Sequence, residues 1–109
     1  MYAITFDLDT QLLEGHYASA SWRDAHMDIR KALDEFGFNC QQGSVYFGGD
    51  KVDAVTCVLA VQDLARRYDW FAPSVRDIRM LRIEDNNDLR PAIDLALTIK
   101  ARRPGRSRA

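Results

Sequence analysis

The order of hydrophobic periodicities in this chain predicts an α+β domain of the split βαβ plan: strand, helix, two strands, helix, strand, then a short C-terminal helix and a basic tail. Three observations carry that expectation. Residues 2–9 alternate apolar and small or polar side chains, residues 21–36 and 53–68 repeat apolar positions every three or four, and residues 38–48 and 74–84 are β-rich. With 109 residues the chain has room for one domain, expected over residues 1–99 with the C-terminal helix included.

The opening strand organises the rest. Tyr2, Ile4, Phe6 and Leu8 share one face, and Ala3, Thr5, Asp7 and Asp9 share the other. The first face is bulky and needs cover. The second stays small until two carboxylates end it, so this strand is expected at the centre of its sheet. Thr10 to Tyr17 reads as a loop punctuated by Gly15. Ser21 with Asp24 resembles a capping box, and Trp22, Ala25, Ile29, Ala32, Leu33 and Phe36 form the buried stripe of a helix stopped at Gly37. Phe38–Gln42 and Ser44–Gly48 read as strands on either side of a bulge or tight bend at Gly43. Asp53 is placed to cap a second helix whose buried stripe runs through Ala54, Cys57, Val58, Val61, Leu64, Ala65 and Tyr68. Ser74 to Glu84 reads as a long strand whose alternation changes phase, as a bulge would make it do. Pro91 suits the first turn of a short helix to about Ile99, and the Arg-, Gly- and Ser-rich residues 100–109 read as a disordered tail.

Composition narrows the function. The formal net charge of −1 conceals an asymmetry: the five basic residues from Lys100 onward leave 10 basic against 16 acidic residues, or −6, on the body. Such a body repels a polyanion at long range, which disfavours promiscuous nucleic-acid binding and leaves room for a small, focused site. Cys40 and Cys57 fall in no CxxC pattern and read as reduced thiols of a cytoplasmic protein. The run Ala54–Gln62 lacks charge but is far too short to span a bilayer, and nothing at the start reads as a secretion signal.

Helices on one face of the sheet make the plan ferredoxin-like and leave the other face open. Val45, Phe47 or Tyr46 on that face gives a reason to pair with a second copy, so a homodimer is expected.

Two resemblances bear on the acidic strand end. Phe6-Asp7-Leu8-Asp9-Thr10 is similar to the start of haloacid-dehalogenase phosphohydrolases, which set an Asp nucleophile two residues before an Asp acid; the likeness covers only the first fourteen residues, and Thr10 stands where that family usually has Gly. The second covers most of residues 1–90. MYAITFDLD (1–9), QQGSVYFGG (41–49) and WFAPSVRDIRMLRIED (70–85), in that order, resemble the virulence-associated protein D family. That resemblance implies a ferredoxin-like homodimer, akin in fold to the small CRISPR-associated proteins, with endoribonuclease activity on single-stranded RNA. It also implies, for some members, a toxin neutralised by a small antitoxin protein. It places Asp7, Ser44 and Asp77 at candidate catalytic positions; the long basic end past residue 90 departs from it.

The residue chemistry suits that expectation. Asp7 can act as a base, or as a ligand to Mg²⁺ held largely by water and phosphate oxygens. Two copies of Asp7 near a dimer axis would concentrate like charge, which invites a proton or a cation. Arg76, Arg79 and Arg82 can neutralise phosphate, and Tyr46 can stack on a base. His16 and His26 read as surface residues. The competing reading is a non-catalytic dimeric binding or regulatory module in which these acids and arginines only pair with one another.

Overall fold

The computed structural model describes residues 1–16 and 22–102, and the side chains of His16 and Trp22 lie outside that description. The expected cap at Ser21, the loop position of Tyr17 and the tail from residue 103 also lie outside the described residues. The elements are β1 (Tyr2–Leu8), α1 (Thr10–His16), α2 (Trp22–Asp34), β2 (Phe38–Gln42), β3 (Val45–Gly48), α3 (Ala54–Arg67), α4 (Phe71–Ser74), β4 (Val75–Arg82) and α5 (Arg90–Ala101). The four strands form one sheet in the order β2-β3-β1-β4, with every neighbouring pair antiparallel. This is the α+β, ferredoxin-like arrangement that the periodicities predict, with β1 in the interior of the sheet.

Alternation along β1 sets the two layers. Ile4, Phe6 and Leu8 are buried with Ala25, Ile29, Ala32 and Leu33 of α2 and Cys57, Ala60 and Leu64 of α3 in one core. Each large aliphatic or aromatic side chain so placed contributes about 1.5–3 kcal/mol. Asp53 caps α3: its Oδ1 accepts from the Thr56 amide at 2.8 Å, and the Thr56 hydroxyl oxygen accepts from the Asp53 amide at 3.5 Å. Gly37 follows α2 with φ of 91°, the left-handed conformation that lets the chain turn into β2. Gly43 has φ of 49° in the two-residue turn that joins Gln42 to Val45, as a primed hairpin turn requires. This turn is the tight bend expected at Gly43, and the register also slips just before it, between Cys40 and Gln42.

Three expectations need correction. Thr10–His16 is a helix rather than a loop, because Asp9 caps it: Asp9 Oδ1 accepts from the amides of Gln11 and Leu12 at 3.0 and 3.1 Å, and Leu13 is fully buried. Val58 and Ala65, expected on the buried stripe of α3, are exposed. Tyr46 belongs to the core. Its partner across β1 is Ile4, so its ring points toward the helices, is 2% exposed and stacks on Phe6 with centroids 5.8 Å apart. Burial pushes its phenol well above the ordinary tyrosine range. A ring so enclosed has no face to offer an RNA base, and of the three residues expected on the open face Val45 and Phe47 are there.

Replacing Tyr46 with alanine is expected to destabilise the fold by about 3–5 kcal/mol, the range for deleting a buried aromatic ring. Urea unfolding followed by circular dichroism measures it; a loss under about 1 kcal/mol would return Tyr46 to the surface.

Candidate active site at the acidic end of the sheet

The candidate residues converge where β1 ends. The antiparallel register of β1 and β4 runs from Tyr2 opposite Arg82 to Asp7 opposite Asp77, then slips by one so that Leu8 faces Val75. The slip leaves Arg76 as the extra residue of a bulge, which twists a strand and re-aims a side chain. Directly opposed like charges disfavour a sheet. Here the arginines on either side of the slip supply the counter-charge. Arg79 Nε donates to both carboxylate oxygens of Asp77, at 3.0 and 3.2 Å. Arg76 donates through one terminal nitrogen to Asp9 at 3.1 Å and brings the other to 3.8 Å from Asp7. Asp7, with its side chain 60% exposed, thus has its nearest described cation outside hydrogen-bond range.

Ser44 reaches the end of β1 through its backbone. It is the second residue of the β2–β3 turn, and its carbonyl accepts from the Phe6 amide at 3.2 Å, beside Asp7. The base of the site is rigid: the Asp9 amide donates to the Ser74 carbonyl at 2.8 Å, and the buried Ser74 hydroxyl donates to the Trp70 carbonyl at 2.7 Å. The end of β1 is therefore tied to the start of β4 independently of the charges.

Asp7, Asp77, Arg76 and Arg79 come together; Ser44 meets the strand end through its backbone carbonyl, and Arg82 and Tyr46 stand elsewhere. Arg82 stands opposite Tyr2 at the far end of β4 and pairs with Glu84 at 3.3 Å. His26 lies on α2, partly buried, and desolvation lowers its pKa so that the neutral ring is favoured. Asp9 has a role that its sequence position as a loop cap only half discloses. The Leu12 amide and the Arg76 guanidinium hold its carboxyl below the ordinary value of 3.8, and Asp9 in return raises Arg76. The missing signal was long-range: only the strand slip brings Arg76 to Asp9.

Among the described residues no three His, Cys, Asp or Glu side chains gather as a metal cluster. Asp7 and Asp77 are two carboxylates on one exposed face, which is the protein share Mg²⁺ takes when water and phosphate oxygens complete its octahedron. Both free thiols are far from this role by position, Cys40 on β2 and Cys57 inside α3. Among the described residues no helix is long and apolar enough to cross a membrane.

The fold and site define a small ferredoxin-like protein with an open acidic and arginine-flanked sheet end. No family model matches the chain. It is 53% identical to Endoribonuclease VapD 2 of Riemerella anatipestifer over 85% of this chain and 99% of that protein. It is equally 53% identical to an Endoribonuclease VapD homolog of Helicobacter pylori, over 89% of this chain and 100% of the relative. Endoribonuclease VapD of Dichelobacter nodosus is 42% identical over 81% of this chain and 91% of its own length. The chain belongs to the VapD (virulence-associated protein D) family.

The Asp9 capping contribution is expected to depend on pH. Its carboxyl has a lowered folded pKa, so the stabilisation is present above about 3.8 and is lost as pH falls through the lower folded value. Asp9→Ala should therefore unfold at lower urea than the parent at pH 7, with the gap narrowing in acid as the folded-state carboxyl takes up its proton. A gap that widens in acid would contradict the cap and ion-pair account.

Proposed function

We propose that this chain is an endoribonuclease that cleaves single-stranded RNA at the Asp7–Asp77 site. The observation that carries this reading is the exposed Asp7 carboxylate set opposite Asp77 and beside two arginines, in a chain 53% identical to two proteins named endoribonucleases. Of the three carboxylates, Asp77 is engaged by Arg79 and Asp9 by Arg76 and the helix cap. Asp7 is the one left to take a proton. It serves as the base that removes the 2′-hydroxyl proton, so that this oxygen attacks the adjacent phosphorus while the P–O5′ bond breaks, giving a 2′,3′-cyclic phosphate and a 5′-oxygen that takes its proton from water. Arg76 and Arg79 neutralise the charge that gathers on the phosphoryl oxygens. In the alternative in which Asp7 holds Mg²⁺ instead of acting as the base, the ion would supply further charge neutralisation at that phosphate.

The geometry of the reaction supports the single-stranded part of this reading. In-line attack needs the sugar to rotate, which an unpaired strand does freely and a duplex resists. The −6 of the body admits a strand only where the arginines focus it.

The open face of the sheet carries Val45, Phe47 and Leu81 around Thr5 and Ala3. A second copy covering that apolar strip makes the protein a homodimer, with the two acidic sheet ends brought into one cleft. The activity is that of a toxin restrained by a small antitoxin protein, a reading that rests on the family resemblance. The phosphohydrolase reading has no support in this fold: its parallel, doubly wound sheet is replaced by four antiparallel strands, and Asp9 is committed to a helix cap.

With labelled single-stranded RNA, Asp7→Asn is expected to cleave slower than the parent by a factor of roughly 10² to 10⁴. Equal rates would assign the activity to another group or a contaminant, and no cleavage by either would favour the binding-module reading. An EDTA arm reports whether a metal takes part.

A further inference from the structure

We propose that α5 is an exchange arm, which leaves its own chain and lies in the groove between α3 and β4 of a second copy. This deepens the homodimer reading above and rests on it.

The helix is apolar and uncovered. Leu89, Ile93, Leu95, Leu97 and Ile99 are 72, 50, 60, 55 and 45% exposed, and no residue of α5 is buried. At 100° per residue its apolar positions sweep roughly 200° of the circumference. A helix lying on a single surface needs only a stripe of about 100°. A 12-residue helix is also marginal by itself in water. The molecule measures 60 × 34 × 19 Å with a radius of gyration of 19.2 Å, where a compact chain of this length has about 13 Å. The arm projects.

The groove is its counterpart. The sheet has four strands under two long helices, and β4, at the sheet edge, has no buried residue. A groove of about 250 Å³ runs there, lined by Cys57, Val58 and Val61 of α3, Ile78 and Met80 of β4, and Ile4 at its base. Val58 and Met80, both facing apolar neighbours, remain 51 and 47% exposed. At 1.5 Å per residue α5 is about 18 Å long and α3 about 21 Å, so one lies along the other.

The occupant is a second copy for two reasons. The Ile83 amide donates to the Met1 carbonyl at 2.7 Å, which pins the exit of the chain at the far end of β4, and α5 then points outward. One groove also covers one stripe, and the rest of the apolar arc needs surface that another chain brings. A two-fold exchange fills both grooves with both arms and closes the assembly. Being reciprocal, it contains two such contacts, which brings the interface toward the roughly 1,600 Å² of stable complexes.

Sedimentation velocity on the full chain is the first test, with Ile93→Asp/Leu97→Asp and Phe47→Asp beside the parent and circular dichroism to show that each folds. The parent is expected to be a dimer, and the α5 variant to dissociate at concentrations at least 100-fold higher. Cross-linking then fixes the path. Two differently tagged chains, one Val61→Cys and one Leu97→Cys, each with both native cysteines changed to alanine, are mixed and oxidised. A disulfide between the two tags supports the exchange. A disulfide that forms only inside a chain carrying both substitutions overturns it, as would an α5 variant that dimerises like the parent. If that variant stays dimeric while Phe47→Asp is monomeric, the arm fails and the open-face dimer stands; a monomeric parent overturns both.

Discussion

The pairing of β1 with β4 is the constraint from which the site follows. Six positions, from Tyr2 with Arg82 to Asp7 with Asp77, fix which side chains share a face, and one residue of slip then frees Arg76. A register one residue away would send Asp7 to the helix layer, where an unpaired carboxylate is costly, and would turn Ile4 and Phe6 out to solvent. The same apolar alternation that builds the core therefore holds the acidic pair in place. Stability and site geometry share one cause.

The charges contribute little to stability. All of the Arg76 and Arg79 pairs are solvent-exposed, and such pairs are worth about 0–1 kcal/mol. Their value is positional. Arg79 and Arg76 lower the mutual repulsion of Asp77, Asp7 and Asp9 enough for three acids to sit at one sheet end. In the proposed reaction they are the groups that meet the phosphate. A body charge of −6 makes such a local arrangement of arginines the more useful to the proposed site.

Much of this was legible in the residues. The alternation at Tyr2–Leu8 survives translation to structure because period two has one physical meaning, a strand with two unlike faces. Asp53 followed by Thr56 is a local signal, complete in four residues. What failed was relational. Tyr46 alternates with Val45 and Phe47, but only its pairing with Ile4 decides that it faces the helices. Thr10–His16 carries no apolar stripe beyond Leu13 and holds Gly15, so its helix depends on a cap rather than on periodicity. The contact of Arg76 with Asp9 spans 67 residues and exists through a bulge, which has no meaning until two strands are paired. For α5, Pro91 marks the helix start, and the helix is there; the proline says nothing about what covers the apolar side.

The central claim is that Asp7 and Asp77 act as one unit because the strand register opposes them. A double-mutant cycle on RNA cleavage, with Asp7→Asn, Asp77→Asn and the pair, tests it most directly. The account predicts strong non-additivity, with the double variant little slower than Asp7→Asn alone, as for groups of one catalytic unit. Rate losses that simply multiply, or an Asp77→Asn protein as fast as the parent, would contradict it.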